Sequence, residues 1–197
     1  MVYRVAIANA KGGVTKTTSA MYLASACVLR DLPVVVLDAD PQSSASLWQD
    51  MALEAGDGLP FEVRAANLST LRNSGRIVRS DAWVFVDAPP YGALLEESLR
   101  VADFVVVPTS DSPLDLQQAW ATMQAIPDGT PAAVLIARAE TGTRAFADCV
   151  AALDAQGTPR FDSVVRNRQD IKSSLDHRPQ KMYEYAQVLQ ELNGVAE

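Results

Sequence analysis

The feature that most constrains this chain is a repeated grammar. A short, unbroken apolar run ends at a polar or acidic residue, and a stretch with apolar residues at helical spacing follows. Residues 3–9, 34–37, 83–86, 104–107 and 132–136 are runs of this kind, and residues 61–64 and 162–165 read as two further strands. Runs without polar alternation suit strands buried on both faces of a parallel sheet. Helical patterns separate them at 16–30, 43–54, 68–78, 94–101, 114–126, 143–155 and 181–192. The alternation predicts an α/β fold: a mostly parallel, twisted sheet with helices on both faces. At 197 residues the chain has room for one substantial core, so one domain over 1–197 is expected. In such sheets ligands bind beyond the carboxyl ends of the strands. The polar residues fall there: Gly12 and Gly13, Asp38 and Asp40, Asp87, Thr109 to Asp111, and Arg138.

The chemistry concentrates in Lys11-Gly12-Gly13-Val14-Thr15-Lys16-Thr17-Thr18, between the first strand and the first helix. Glycines let backbone N–H groups close around phosphate oxygens, and a helix N-terminus adds a favourable dipole. Lys16 supplies charge, and Thr17 supplies a hydroxyl for magnesium. Phosphoryl transfer to water then needs a positioned nucleophile and charge compensation. Asp40 is the candidate to orient or deprotonate the water, and Asp38 and Asp87 are candidates to hold magnesium. Thr15 is the irregular position. If the loop requires a positive φ there, a β-branched residue costs about 1–3 kcal/mol, and the sequence leaves open whether the backbone differs or the strain is carried.

KGGVTKTT resembles the deviant Walker A box of the ParA/MinD family of P-loop ATPases, usually written KGGxGKT. DADPQSSAS (38–46) looks like the family's DxDPQ box, WVFVDAPPYG (83–92) like its Walker B segment, and PTSDSPLDL (108–116) like the loop after the next strand in small plasmid-type members. The resemblance implies a P-loop fold with ATP and Mg2+ as cofactors, and Lys11, Lys16 and Asp40 as catalytic residues. It implies nucleotide contacts from residues 11–18, Arg138 and Arg166, and metal contacts from Thr17, Asp38 and Asp87. Lys11 would be the signature lysine that reaches the ATP of a partner in an ATP-dependent homodimer. The segment VVRNRQDIKSSLDHRP (164–179) is similar to the stretch that lies near the adenine and gives nonspecific DNA contacts, here Arg166, Arg168, Lys172 and Arg178. A face on which these charges are paired, with Asp170 and Asp176, is the alternative. The resemblance is strongest to the short partition ATPases that lack an N-terminal DNA-binding domain. It implies slow hydrolysis stimulated by a ParB-like centromere-binding partner, on the nucleoid. The alternatives are the same engine moving a protein cargo, or a metabolic enzyme of the same superfamily.

Composition sets the boundaries of these readings. The net charge of −7 repels nucleic acid at long range, so DNA binding has to come from a local patch. Between Arg138 and Lys181 basic residues outnumber acidic ones, unlike the rest of the chain. No apolar run approaches a membrane span, and the tail 182–197 carries Glu184, Glu191 and Glu197 with no Lys or Arg. A cytoplasmic protein without membrane contact is therefore expected. Cys27 and Cys149 form no CxxC pair and read as buried thiols, and His177 reads as a surface residue with no second histidine to join in a site.

Overall fold

The computed structural model describes residues 2–196. Six parallel strands form one sheet: β1 (Tyr3–Ile7), β2 (Val34–Asp38), β3 (Glu62–Ala65), β4 (Trp83–Asp87), β5 (Phe104–Thr109) and β6 (Ala132–Ile136). Their spatial order is β3-β2-β4-β1-β5-β6. The chain thus opens at the centre of the sheet, crosses to one edge, returns to insert β4 beside β1, and then fills the other side. The helices are α1 (Lys16–Val28), α2 (Ser44–Glu54), α3 (Leu68–Arg72), α4 (Ser74–Ile77), α5 (Ala93–Val101), α6 (Pro113–Ala125), α7 (Arg144–Ala155), α8 (Gln169–Lys172) and α9 (Tyr185–Ala196).

Strand periodicity explains why the runs are apolar throughout. Val5, Ile7, Val36, Phe85, Val106 and Leu135 face one side, where they meet Leu23 of α1 and Leu189 and Leu192 of α9. Their neighbours Ala6, Val105, Val107, Val134 and Ile136 face the other side and pack with Leu116 of α6 and Leu153 of α7. Val35, Leu37, Val84 and Val86 continue that second face under Leu71 and Val101. Alternate residues of each strand therefore enter opposite cores, and neither face is left to water. Cys27 and Cys149 are buried free thiols, and burial pushes the Cys27 thiol up to about 12.

Three expectations are corrected. Residues 162–165 form no strand: only isolated bridges, Val134 to Arg160 and Ala139 to Arg166, flank them. The N–H groups of Asp162 and Ser163 donate instead to the Glu191 carboxylate of α9, at 2.8 and 2.9 Å, so they are not available to a ladder. The helix expected over 68–78 breaks at Asn73, whose side-chain amide donates to the Ser69 carbonyl at 2.8 Å. The last helix begins at Tyr185 and not at 181, because Tyr183 takes a left-handed φ of 47° through which no right-handed helix runs.

Phe85 lies fully buried in the strand between β1 and β2, whereas Leu53 on α2 is 70% exposed. Phe85→Ala is expected to cost about 3–5 kcal/mol of unfolding free energy in a urea titration. Leu53→Ala should stay within about 0.5 kcal/mol of the wild type.

Candidate functional site

Residues 8–15 turn from the end of β1 into α1. The turn is fixed from outside by Asn9, which is fully buried: its amide donates to the Pro108 carbonyl at 2.8 Å, and its Oδ1 accepts from Lys11 N–H at 2.9 Å. Thr122 of α6 accepts from Ala10 N–H at 2.9 Å. Gly13 has a φ of 75°, which glycine adopts freely. Thr15 has a φ of 66°, so the loop does require the left-handed region at that position and a β-branched residue carries it. The Thr15 side chain makes no cap hydrogen bond to α1, and the first turn of α1 holds no acidic residue. The positive end of the α1 dipole therefore meets no negative charge from its own first turn.

Each loop lysine has a partner within the chain. Lys16 is buried, and its Nζ donates to the Lys11 carbonyl at 2.9 Å. Burial pulls its pKa below the ordinary lysine value, against the opposing pull of Asp87 and Asp40. Lys11, with 36% of its side chain exposed, forms an ion pair with Asp115 near the start of α6. Asp115 is buried and also accepts from Ser110 Oγ at 2.7 Å, with the Arg138 guanidinium 3.9 Å away. Burial works to raise the Asp115 pKa, and the bonds from Lys11 and Ser110 outweigh it, leaving it below the usual carboxylate value.

The two strand-end carboxylates are neighbours in the sheet, since Asp38 stands opposite Asp87 in the β2–β4 register. They are 3% and 1% exposed. Thr17 Oγ1 donates to Asp87 Oδ2 at 2.6 Å. Ser46 donates to Asp38 Oδ2 from its N–H at 2.8 Å and its hydroxyl at 2.7 Å, so one Asp38 oxygen does serve the start of α2. The other oxygen of each carboxylate, Oδ1, is buried without a hydrogen-bond partner. Burial pushes the Asp87 carboxyl up to about 7; the Thr17 bond opposes this and the Asp38 charge adds to it. Two buried carboxylates with spare oxygens beside a threonine hydroxyl form a hard-oxygen donor set that fits magnesium. Asp40 stands half-buried at the mouth, its Oδ1 accepting from Gln42 N–H at 2.9 Å and its carbonyl from Ser43 N–H at 2.8 Å.

A cleft of about 590 Å³ opens over the loop, lined by Gly12, Gly13, Thr15, Lys16, Thr17 and Thr18 together with Asp40, Arg138 and Arg166; Lys11, Asp38 and Asp87 do not line it, and Thr17 links it to the buried Asp87 carboxylate. Val14 is buried behind the loop and does not line the cleft. Arg168 and Lys172 also line it, while Arg178 does not. The expected DNA-contacting arginines are not free charges, and their partners differ from those expected. Arg168 is bonded to Glu184 and lies 4.5 Å over the Tyr183 ring, and Arg166 approaches the same Glu184 at 3.9 Å. Arg178 is 3.8 Å from Asp57, and Asp170 accepts from the Tyr183 hydroxyl at 2.6 Å. Sequence reading did not single out Asn9, Thr122 or Asp115. Asn9 carried a weak signal as the polar end of an apolar strand, and Asp115 lay in the 108–116 segment without an assigned role.

The CobQ/CobB/MinD/ParA nucleotide binding domain model matches residues 5–180. "Maintenance of carboxysome distribution protein A" of Gloeobacter kilaueensis is 37% identical over 169 residues, which is 82% of this chain and 76% of that protein. Among solved structures, a putative plasmid partition protein from Borrelia burgdorferi bound to AMPPNP superimposes with a TM-score of 0.77 at 18% identity, covering 100% of both chains. Cobyrinic acid a,c-diamide synthase from Mycobacterium smegmatis, with bound ADP and magnesium, gives 0.73 at 19% identity over 98% of this chain and 94% of that one.

Asp115→Asn removes the charge that holds Lys11. Pulse acetylation read by mass spectrometry should label Lys11 roughly two- to fivefold faster in this variant, the factor expected of a partly exposed ion pair. Labelling of Lys16, buried in the same loop, serves as the internal reference and should not change.

Proposed function

The chain belongs to the CobQ/CobB/MinD/ParA nucleotide-binding family, and from that premise we propose that it is an ATPase that positions a cargo by forming a nucleotide-bridged dimer. The observation that carries this reading is the juxtaposition at one sheet edge of a cleft lined by the glycine loop, Lys16 and Asp40 with the buried Asp38–Asp87 pair and its unpartnered oxygens, which Thr17 of the same loop reaches. ATP would seat its phosphates on residues 11–18. Thr17, Asp38 and Asp87 would hold magnesium, which would supply charge neutralisation on the phosphate oxygens.

The remaining work falls to the side chains of this protein. Lys16 exchanges its bond to the Lys11 carbonyl for a phosphate oxygen. Asp40, at the mouth, orients water and accepts its proton as it attacks the γ-phosphate. Lys11 leaves Asp115 to reach the nucleotide of a second copy. Hydrolysis removes the phosphate that joins the two copies, which reverses the association. Arg138 and Arg166, both on the cleft wall, contact the nucleotide.

A protein assembly is the cargo favoured by the similarity to a carboxysome distribution protein. An adaptor protein carried by that cargo would stimulate hydrolysis. Plasmid or chromosome partition with a ParB-like partner is the second reading, favoured by the whole-chain likeness to a plasmid partition protein. In either case nonspecific DNA is the track, and the basic residues Arg166, Arg168 and Lys172 at the cleft support it. Arg178 belongs to the same reading from outside the cleft. Dimerisation would join two weak patches into one stronger site, whose binding falls steeply with salt. Among the described residues no helix is long and apolar enough to cross a membrane.

The test is the mass in solution, by light scattering, with ATP and magnesium, with ADP and magnesium, and with no nucleotide. Asp40→Ala should bind ATP, lose hydrolysis and accumulate as a dimer with ATP alone. A monomer under all three conditions would remove the reading.

A further inference from the structure

The phosphate loop of this chain carries a conformation that its sequence does not favour. Thr15 holds a φ of 66° and a ψ of 20°, and it replaces the residue type that adopts this region without cost. Left-handed β-branched residues persist only where the surroundings impose them. Thr15 does not stabilise itself, since its hydroxyl neither caps α1 nor finds a hydrogen-bond partner although it is buried. The support therefore has to come from elsewhere in the fold.

The groups around it identify that support. The Thr15 carbonyl accepts from Ser19 N–H at 2.8 Å in the first turn of α1. Ser19, itself fully buried, shares a 3.1 Å hydrogen bond between its hydroxyl and that of Tyr185, the first residue of α9 and 166 positions away. Tyr185 is fully buried and lines the nucleotide cleft. Its ring packs at 5.1 Å against Tyr22 of α1, which in turn meets Trp48 of α2 edge-on at 6.4 Å. Burial raises the Tyr185 hydroxyl well above its ordinary pKa, and its hydrogen bond with Ser19 acts against that shift. The aromatic packing thus fixes the phenol hydroxyl on Ser19, whose N–H holds the carbonyl of the residue that bears the strain.

We propose that Tyr185 is a positioning residue for the phosphate loop: through Ser19 it keeps Thr15 left-handed and the loop shaped to receive the phosphates of a nucleotide. The inference rests on the nucleotide reading above, and it assigns the C-terminal helix a part in the binding step. Without the phenol hydroxyl, Thr15 relaxes toward the right-handed or extended region and the loop must be reshaped when nucleotide binds. Glycine at the same position has no preference to relax, so the tether becomes dispensable there.

The experiment is a double-mutant cycle read as calorimetric affinity for ADP with magnesium. Tyr185→Phe keeps the ring and its packing and removes one hydroxyl. It should weaken binding roughly three- to tenfold, the range given by loss of one neutral hydrogen bond. Comparing Thr15→Gly with the Thr15→Gly/Tyr185→Phe double variant should show no difference. Melting temperatures establish that each variant is folded; if Tyr185→Phe is not, Ser19→Ala cuts the same link from α1 and should give the same pattern. Equal affinity of Tyr185→Phe and wild type would overturn the proposal. So would an equal loss in both backgrounds, which is the signature of general destabilisation. Failure of the wild type to bind ADP would instead sink the nucleotide reading itself, and this inference with it.

Discussion

The parallel register of β1, β4 and β2 is the constraint on which the site depends. It sets Ile7 beside Asp87 and Asp87 beside Asp38, so that two carboxylates reach the same sheet edge under the turn that leaves β1. Folding alone does not favour that arrangement, because each acid brings one oxygen into the interior without a donor. The raised Asp87 pKa is the electrostatic expression of the same cost. A divalent cation and a phosphate chain would offset it, which makes the site's instability and its proposed ligand two aspects of one arrangement.

Charge at this edge is held in exchangeable pairs. Lys16 sits on a backbone carbonyl and Lys11 on Asp115, and Arg138 lies close to the same acid. Arg166 and Arg168 divide Glu184 between them. Every cation that the proposed cycle would direct at phosphate or DNA thus has a partner in the chain, apart from the exposed Lys172, which forms no ion pair among the described residues. The pairs of Arg166 and Arg168 with Glu184 are partly exposed and are worth little each. A triphosphate or a phosphate backbone can therefore displace them without a large penalty, while the net charge of −7 stays compatible with local anion binding.

Much of the sheet and the place of the glycine-rich turn were legible in the sequence, because the information there is local. An apolar run closed by Asp38 or Asp87 announces a buried strand and its carboxyl end, and Gly12 to Thr18 announces the turn and helix that follow. Even the strain at Thr15 could be anticipated as a question, which the φ of 66° in the folded chain answers. What could not be read was set by partners far away in sequence. Glu191 takes the amides that a strand at 162–165 would have used, and Asp115 takes Lys11 across 104 positions. Asn73 interrupts one helical pattern through its side-chain amide, and Tyr183 delays the start of another through its left-handed φ, neither of which apolar periodicity encodes. The hydroxyl of Tyr185 belongs to the same class. Periodicity marks that residue as packing, which it is, and says nothing of Ser19 beneath it.

The position of the Lys11 ammonium in a structure with AMPPNP and magnesium tests the account most directly. A two-fold dimer is expected, in which that ammonium has left Asp115 and contacts the phosphates of the partner copy's nucleotide. An ammonium still paired with Asp115 in both copies, with nucleotide bound, would contradict it.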